Sequence, residues 1–209
     1  MEPTIYKPSI YKGAGIYKAG GGLKYLNENY IICDWISSTS TGDTGAEIPN
    51  LNISDDEKVK YKAKIRVIPF SGSSAYIFSS NQIGGNTSAS VRFTNINKCY
   101  ATNRNNYSNE YSFTSIANKI VEVELEKETL KIGENVFTNV PYAIESLGRI
   151  YVLGENRRHL FLYGFVVEND GVKILDIIPV IKRYTGEVYL YDKVNNQFYS
   201  NSSFFAGFD

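Results

Sequence analysis

Residues 60–68 (KYKAKIRVI) alternate apolar and basic positions, with Tyr61, Ala63, Ile65 and Val67 on one face of an extended chain and Lys62, Lys64 and Arg66 on the other. That period of two is the signature of a half-buried strand. Shorter runs at 75–78, 90–93, 120–125, 130–132, 149–153, 161–168, 171–179 and 187–191 read as strands as well, and helical periodicity is nearly absent. Turn signals fall between them at Gly84-Gly85, Asn169-Asp170-Gly171 and Thr185-Gly186. The Asn-Asp-Gly triplet between two apolar runs predicts a hairpin. Ten or more short strands in about 185 residues predict an all-β sandwich or barrel, and an antiparallel jelly roll matches that size.

The first residues follow a different rule. Ile5-Tyr6-Lys7, Ile10-Tyr11-Lys12 and Ile16-Tyr17-Lys18 form a short imperfect repeat that runs into Gly20-Gly21-Gly22. Spacings of five and six residues sustain neither the helical nor the strand period. Each Ile-Tyr pair offers a few residues of extended backbone and one large aromatic anchor, while Pro8, Gly13 and Gly15 bend the chain between them. The segment therefore reads as a docking arm, residues 1–24, ahead of a β domain at 25–209. Its anchors would be Ile5, Tyr6, Ile10, Tyr11, Ile16 and Tyr17, inserted into a partner or a neighbouring copy. A loose tail and a first edge strand are the alternatives.

Composition narrows the partners. Among 209 residues, 22 Lys+Arg balance 22 Asp+Glu, so the basic patch that phosphate neutralisation requires is not expected, and neither is nucleic-acid binding. No apolar run approaches the roughly 20 residues that cross a bilayer; the longest, 160–167, has strand length and is interrupted by Gly164. A membrane partner is not expected, and the N-terminus lacks the apolar core of a secretory signal. The single His159 and the widely separated Cys33 and Cys99 do not make a zinc site. Both cysteines are expected as buried free thiols.

Candidate chemistry is sparse. Glu122, Glu124 and Glu126 alternate along one strand, which places their carboxylates on one face, about 6.5–7 Å apart. A retaining glycosidase pair needs about 5 Å, within reach of side-chain convergence. The same alternation is also how any half-solvated strand reads, and that is the expectation here. His159 lacks the motif context of a Ser/His/Asp triad, and neither glycine cluster has the lysine of a phosphate loop. Ser54-Asp55-Asp56-Glu57 could contribute to a calcium site given carbonyl ligands from elsewhere, but no cofactor is expected. Tyr184, Tyr189, Tyr191 and Tyr199 mark a tyrosine-rich C-terminal strand region suited to core or interface packing.

The stretch from 160 to 209 contains Asp176-Ile177-Ile178-Pro179, then Tyr191-Asp192, then Phe198-Tyr199-Ser200-Asn201. Upstream stand Trp35-Ile36-Ser37-Ser38-Thr39 and Thr44-Gly45. In these pieces the chain resembles the concanavalin A-like, or LamG-like, jelly-roll domains of bacteriophage virion proteins. It departs from the pattern of their central hairpin, where it has Glu126-Lys127-Glu128-Thr129 and Ile132-Gly133. The resemblance implies a rigid, non-enzymatic virion component, a head fibre, capsid decoration or tail appendage, made in a bacterial host's cytoplasm. Its implied partners are capsid or tail proteins and further copies in a dimer or trimer, with a host-surface glycan as a possible ligand. A laminarinase-like glycosidase and a cellular glycan-binding adhesin are the competing readings.

Overall fold

The computed structural model describes residues 23–39, 45–49, 51, 53, 58–70, 74–79, 88–105, 108–142, 149–154 and 158–209. The proposed arm anchors at 5–17 and the acidic loop at 54–57 lie outside them. In chain order the strands are β1 (Lys24–Asn27), β2 (Tyr30–Ile32), β3 (Trp35–Ser38), β4 (Ala46–Pro49), β5 (Val59–Val67) and β6 (Ala75–Ser79). Then come β7 (Ser88–Asn95), β8 (Lys98–Asn105), β9 (Asn109–Ser112), β10 (Ile120–Glu126), β11 (Thr129–Ile132) and β12 (Asn135–Phe137). The last are β13 (Arg149–Val152), β14 (Leu160–Asn169), β15 (Val172–Lys182), β16 (Val188–Asp192), β17 (Gln197–Tyr199) and β18 (Phe204–Gly207). Every strand pair is antiparallel, and the strands divide into a sheet of twelve and a sheet of six.

The long strands form where the sequence alternates. In β5, Tyr61, Ala63, Ile65 and Val67 are buried while the basic residues between them face solvent. The β14–β15 hairpin turns at Asp170-Gly171, with φ of +52° and +77°. Two consecutive positive φ values make the turn that matches strand twist, and Asp before Gly is the pair that tolerates them.

The two sheets pack face to face as a β-sandwich. Phe78 of β6, from the small sheet, stacks on Tyr61 of β5 at 4.8 Å and tilts against Phe165 of β14 at 5.2 Å. All three rings are almost fully buried. Such pairs contribute about 0.5–1.5 kcal/mol beyond the burial of their surface. Cys33 and Cys99 are both buried free thiols, the latter in β8 of the small sheet. Burial pushes the Cys99 thiol up to about 12 and the Cys33 thiol higher, with Asp34 adding to the latter.

The connectivity is nested. In the large sheet β3 pairs β14 and β5 pairs β10; in the small sheet β4 pairs β13, and β6–β9 form a meander. Early strands thus pair with late ones in nested order, alternating between the sheets. In the large sheet β14 then closes against β5, and in the small sheet β13 closes against β6.

Candidate binding groove at the strand fork

The large sheet forks. At Ile177, β15 has β14 on one edge (Phe165) and β16 on the other (Asp192). Three residues on, at Val180, β16 still holds the second edge through Tyr189, but Ile32 of β2 has replaced β14 on the first. Along β14 the exchange is reciprocal: Phe165 pairs with β15, whereas Leu162 pairs with Ile36 of β3. The segment from Tyr30 to Ser38 is therefore a wedge driven between two diverging strands. Its bend at Cys33-Asp34 is held by the Cys33 N–H donating to Pro179 O and the Asp34 N–H donating to Gly207 O, each at 3.0 Å.

A β-bulge sits at the fork. Leu162 pairs with Ile65 and Gly164 with Lys64, so Tyr163 is the extra residue. Bulges bend a strand and redirect a side chain. Here the Tyr163 hydroxyl donates to Asp209 Oδ2 at 2.5 Å, while Arg66 holds Asp209 Oδ1 at 3.1 Å. The Asp209 N–H in turn donates to Asp34 Oδ2 at 3.0 Å. Burial, reinforced by the hydrogen bond to Asp209, pushes the Tyr163 phenol well above its ordinary value, so it stays a protonated donor. Asp34, Lys64, Tyr163 and Asp209 line an open groove of about 400 Å³ together with Ile32, Cys33, Ile178 and Pro179.

Aromatic clusters flank the groove on the same outer face. On one side Trp35 meets the edges of Phe161 and Phe205 at 4.8 and 5.9 Å, and Arg66 lies over the Phe161 ring at 4.9 Å. Trp35 occupies the space above Gly207, where any side chain would collide with the indole. On the other side Tyr30 stacks on Phe198 at 4.4 Å, with Tyr189 and Tyr191 against the same Phe198 ring. These rings stand on the face that carries the fully buried Val180. The sheet curls so that β2 and β17, on opposite sides of β15, meet over it. Tyr189 and Tyr191 thus make an outer-face cluster, whereas Tyr199 lines a separate cleft of about 410 Å³ between the sheets with Ile48, Leu51 and Leu175. Tyr184 is exposed, with Arg183 over its ring.

The carboxylates that the sequence offered as catalytic candidates are placed elsewhere on this face. Glu122, Glu124 and Glu126 of β10 stand opposite Lys64, Lys62 and Lys60 of β5. Lys60 binds Glu126 at 2.8 Å, Lys131 binds Glu124 at 2.8 Å, and Lys62 reaches across to Glu168 at 2.7 Å. Partial burial alone would raise the Glu124 carboxyl, but the hydrogen bond from Lys131 and the nearby lysine charges outweigh it and hold the group below the usual carboxylate range. A general acid needs the opposite shift. His159 lies just before β14 and stacks flat on Phe70 at 4.5 Å. Among the described residues no cluster of three or more His, Cys, Asp or Glu is arranged to hold a metal ion, and no helix is long and apolar enough to cross a membrane.

The two aspartates of the Tyr191-Asp192 and Asp176–Pro179 motifs tie down local structure. Asp192 is fully buried and accepts from the Asp176 and Val194 N–H groups at 3.0 Å each and from Asn195 Nδ2, fixing the turn after β16. Burial alone would raise the Asp176 carboxyl; the hydrogen bonds from Lys193 and Lys173 outweigh it and lower it. In the Phe198–Asn201 motif, Asn201 accepts from the Ser203 N–H and hydroxyl and donates to Gly45 O. Sequence reasoning noticed Gly164 as an interruption and Trp35 as part of a motif, but not the groove. Its polar members, Asp34, Lys64, Tyr163 and Asp209, come from four separate segments with no shared local pattern. The chain matches no protein-family model, and no curated protein matches it in sequence.

Proposed function

We propose that the chain is a non-enzymatic structural component of a bacteriophage virion: a concanavalin A-like jelly roll that displays its outer face and docks through the arm at residues 1–24. The observation that carries this reading is the nested pairing of β3 with β14, β4 with β13 and β5 with β10 in alternate sheets. A long hairpin rolled into two layers has that order, and it defines the jelly-roll family of folds. The motifs behind the resemblance support it, since Asp176–Pro179, Tyr191-Asp192 and Phe198-Tyr199 lie on or at the ends of the successive strands β15, β16 and β17. The lysine-bound state of Glu124 and Glu126 argues against the glycosidase alternative. A rigid sandwich with an anchoring arm suits display, because its surface can vary without disturbing the core.

The test is fractionation. Gradient-purified particles from a lysate of the producing host are expected to carry the chain, and a chain lacking residues 1–22 is expected to remain in the soluble fraction while folding normally. Full-length chain found only in the soluble fraction, or normal incorporation of the truncated chain, overturns the docking reading.

A further inference from the structure

We propose that the groove at the strand fork is a docking site for the chain's own arm, whose unit Ile16-Tyr17-Lys18 binds there in cis as a latch. The arm enters beside it. Lys24 of β1 pairs with Ile32 of β2, which lines the groove, and Leu23 packs partly buried against the core. Because β1 and β2 are antiparallel, the chain upstream of Lys24 heads toward the Cys33-Asp34 bend, the end of β2 at which the groove lies. Ile178 and Pro179 lie on β15, the strand beyond β2, so they are two strand spacings from β1, about 10 Å. The five residues between Lys18 and Lys24 reach up to about 18 Å. Gly20-Gly21-Gly22 among them permits a change of direction that side chains would resist.

Charge and surface select this occupant. The groove sets two side-chain carboxylates, Asp34 and Asp209, against one cation, Lys64. Arg66 pairs with Asp209 from outside the groove, and the main-chain carboxylate of Asp209 keeps the balance negative. That field is felt by the groove's own groups. Asp34 adds to the burial that raises the Cys33 thiol, and Asp209 and Asp34 add to the burial that raises the Tyr163 phenol, against the opposing charge of Arg66. Residues 1–22 carry three lysines and one glutamate, the complementary sign. Ile32, Ile178 and Pro179 offer apolar surface to an isoleucine, and the carboxylates beside them suit a lysine, the combination that each arm unit presents. The volume, about 400 Å³, falls within the range of sites for small ligands, about 300–1,000 Å³, and suits one unit rather than the whole arm. Ile16-Tyr17-Lys18 is the unit nearest the groove along the chain. A short flexible tether holds it at an effective concentration on the order of millimolar, so even a weak contact stays mostly closed. The docking reading above enters only at release, where a partner surface that binds the arm competes with the groove.

The experiment is limited trypsin digestion of the full chain under native conditions, with cleavage after Lys12 and after Lys18 timed by mass spectrometry. Both lysines precede a small residue, Gly13 and Ala19, so the two bonds are comparable substrates. Cleavage after Lys18 is expected to be about tenfold slower than after Lys12, in proportion to the time the latch is closed, and equally so at every protein concentration. Asp34→Asn keeps an acceptor for the Asp209 N–H and should bring the two rates to within about threefold. Lys64→Glu, at an exposed side chain, should slow cleavage after Lys18 further, a change that no loss of fold produces. Lys131→Ala, on the ion-paired part of the face, should leave the ratio unchanged. Equal rates in the parent protein, or a ratio indifferent to Asp34→Asn or to Lys64→Glu, overturns the proposal. Protection that vanishes on dilution overturns it as well, by placing the arm on a second copy. None of these outcomes alters the particle fractionation, so failure of the latch and failure of the docking reading are told apart.

Discussion

The outer face of the large sheet is divided between two ways of finishing a β surface. Over β10, β5 and the C-terminal half of β14 it is a lattice of cross-strand ion pairs, with Lys60, Lys62 and Lys131 interleaved among Glu124, Glu126 and Glu168. Around the fork it is aromatic and hydrogen-bonded, with Trp35, Phe161, Tyr163, Tyr30 and Phe198 packed on or beside the strands. The lattice satisfies its own charges and offers little to a ligand. The fork is irregular, because three strand ends and a bulge meet there, and the irregularity creates a concavity with polar groups aimed into it. Regular pairing makes a surface and interrupted pairing makes a site.

The two regions are expected to answer mutation differently. The largest effect is expected at Gly207→Val, whose side chain must displace the Trp35 indole from its seat. Overpacking of this kind costs about 2 kcal/mol or more, read as a lowered urea midpoint with unchanged slope. An effect below about 0.5 kcal/mol would show that Trp35 is free to move and that the aromatic region is not a packed layer. Phe198→Ala comes next. It removes the ring on which Tyr30, Tyr189 and Tyr191 converge, and because Phe198 is 36% exposed the loss should be about 1–2 kcal/mol, below that of a fully buried phenylalanine.

The smallest effect belongs to the lattice. Glu124→Gln is expected to cost about 0.5 kcal/mol in low salt and less as ionic strength rises. Its pH dependence has a definite sign. The Glu124 carboxyl is lowered from its ordinary value of 4.5, so its stabilising contribution is present above that value and is lost as pH falls through the lowered folded-state value. The difference between parent and variant in thermal melts should therefore close on acidification. A difference that persists in acid would mean that Glu124 contributes through packing rather than charge, and would erase the contrast between the two regions.

Much of the ion-paired region could be read from the chain. The alternation in 60–68 and in Glu122, Glu124 and Glu126 placed the charges on solvent faces, since side-chain direction along a strand follows the period of two. The hairpin at Asn169-Asp170-Gly171 was legible for a similarly local reason, because only a few residue types accept consecutive positive φ values. The pairing of Lys62 with Glu168 was not, since it spans 106 positions in sequence. The strands β1, β2, β3, β4, β8, β9, β12, β17 and β18 were missed; all but β8 have three or four residues and too little length to show a period, while the eight-residue β8 buries polar Thr102 and Asn103 and so breaks the apolar alternation. The tyrosines at 189 and 191 were correctly placed on one face of their strand. That this face is the outer one, covering Val180, follows from a curl of the sheet that no local pattern encodes.

The sequence by itself determined that this is an all-β protein with balanced charge, which side of β5 and of the Glu122–Glu126 strand turns to solvent, and where the tight hairpin falls. Each is a local matter of alternation, φ preference or composition. The tertiary structure alone decided that β14 and β15 part at the Tyr163-Gly164 bulge, that residues 30–38 wedge between them, and that Asp34, Lys64, Tyr163 and Asp209 border one groove. That outcome depends on which distant strand edges compete for the same backbone partners. The competition is settled by the whole sheet at once and leaves no mark on any short stretch of the chain.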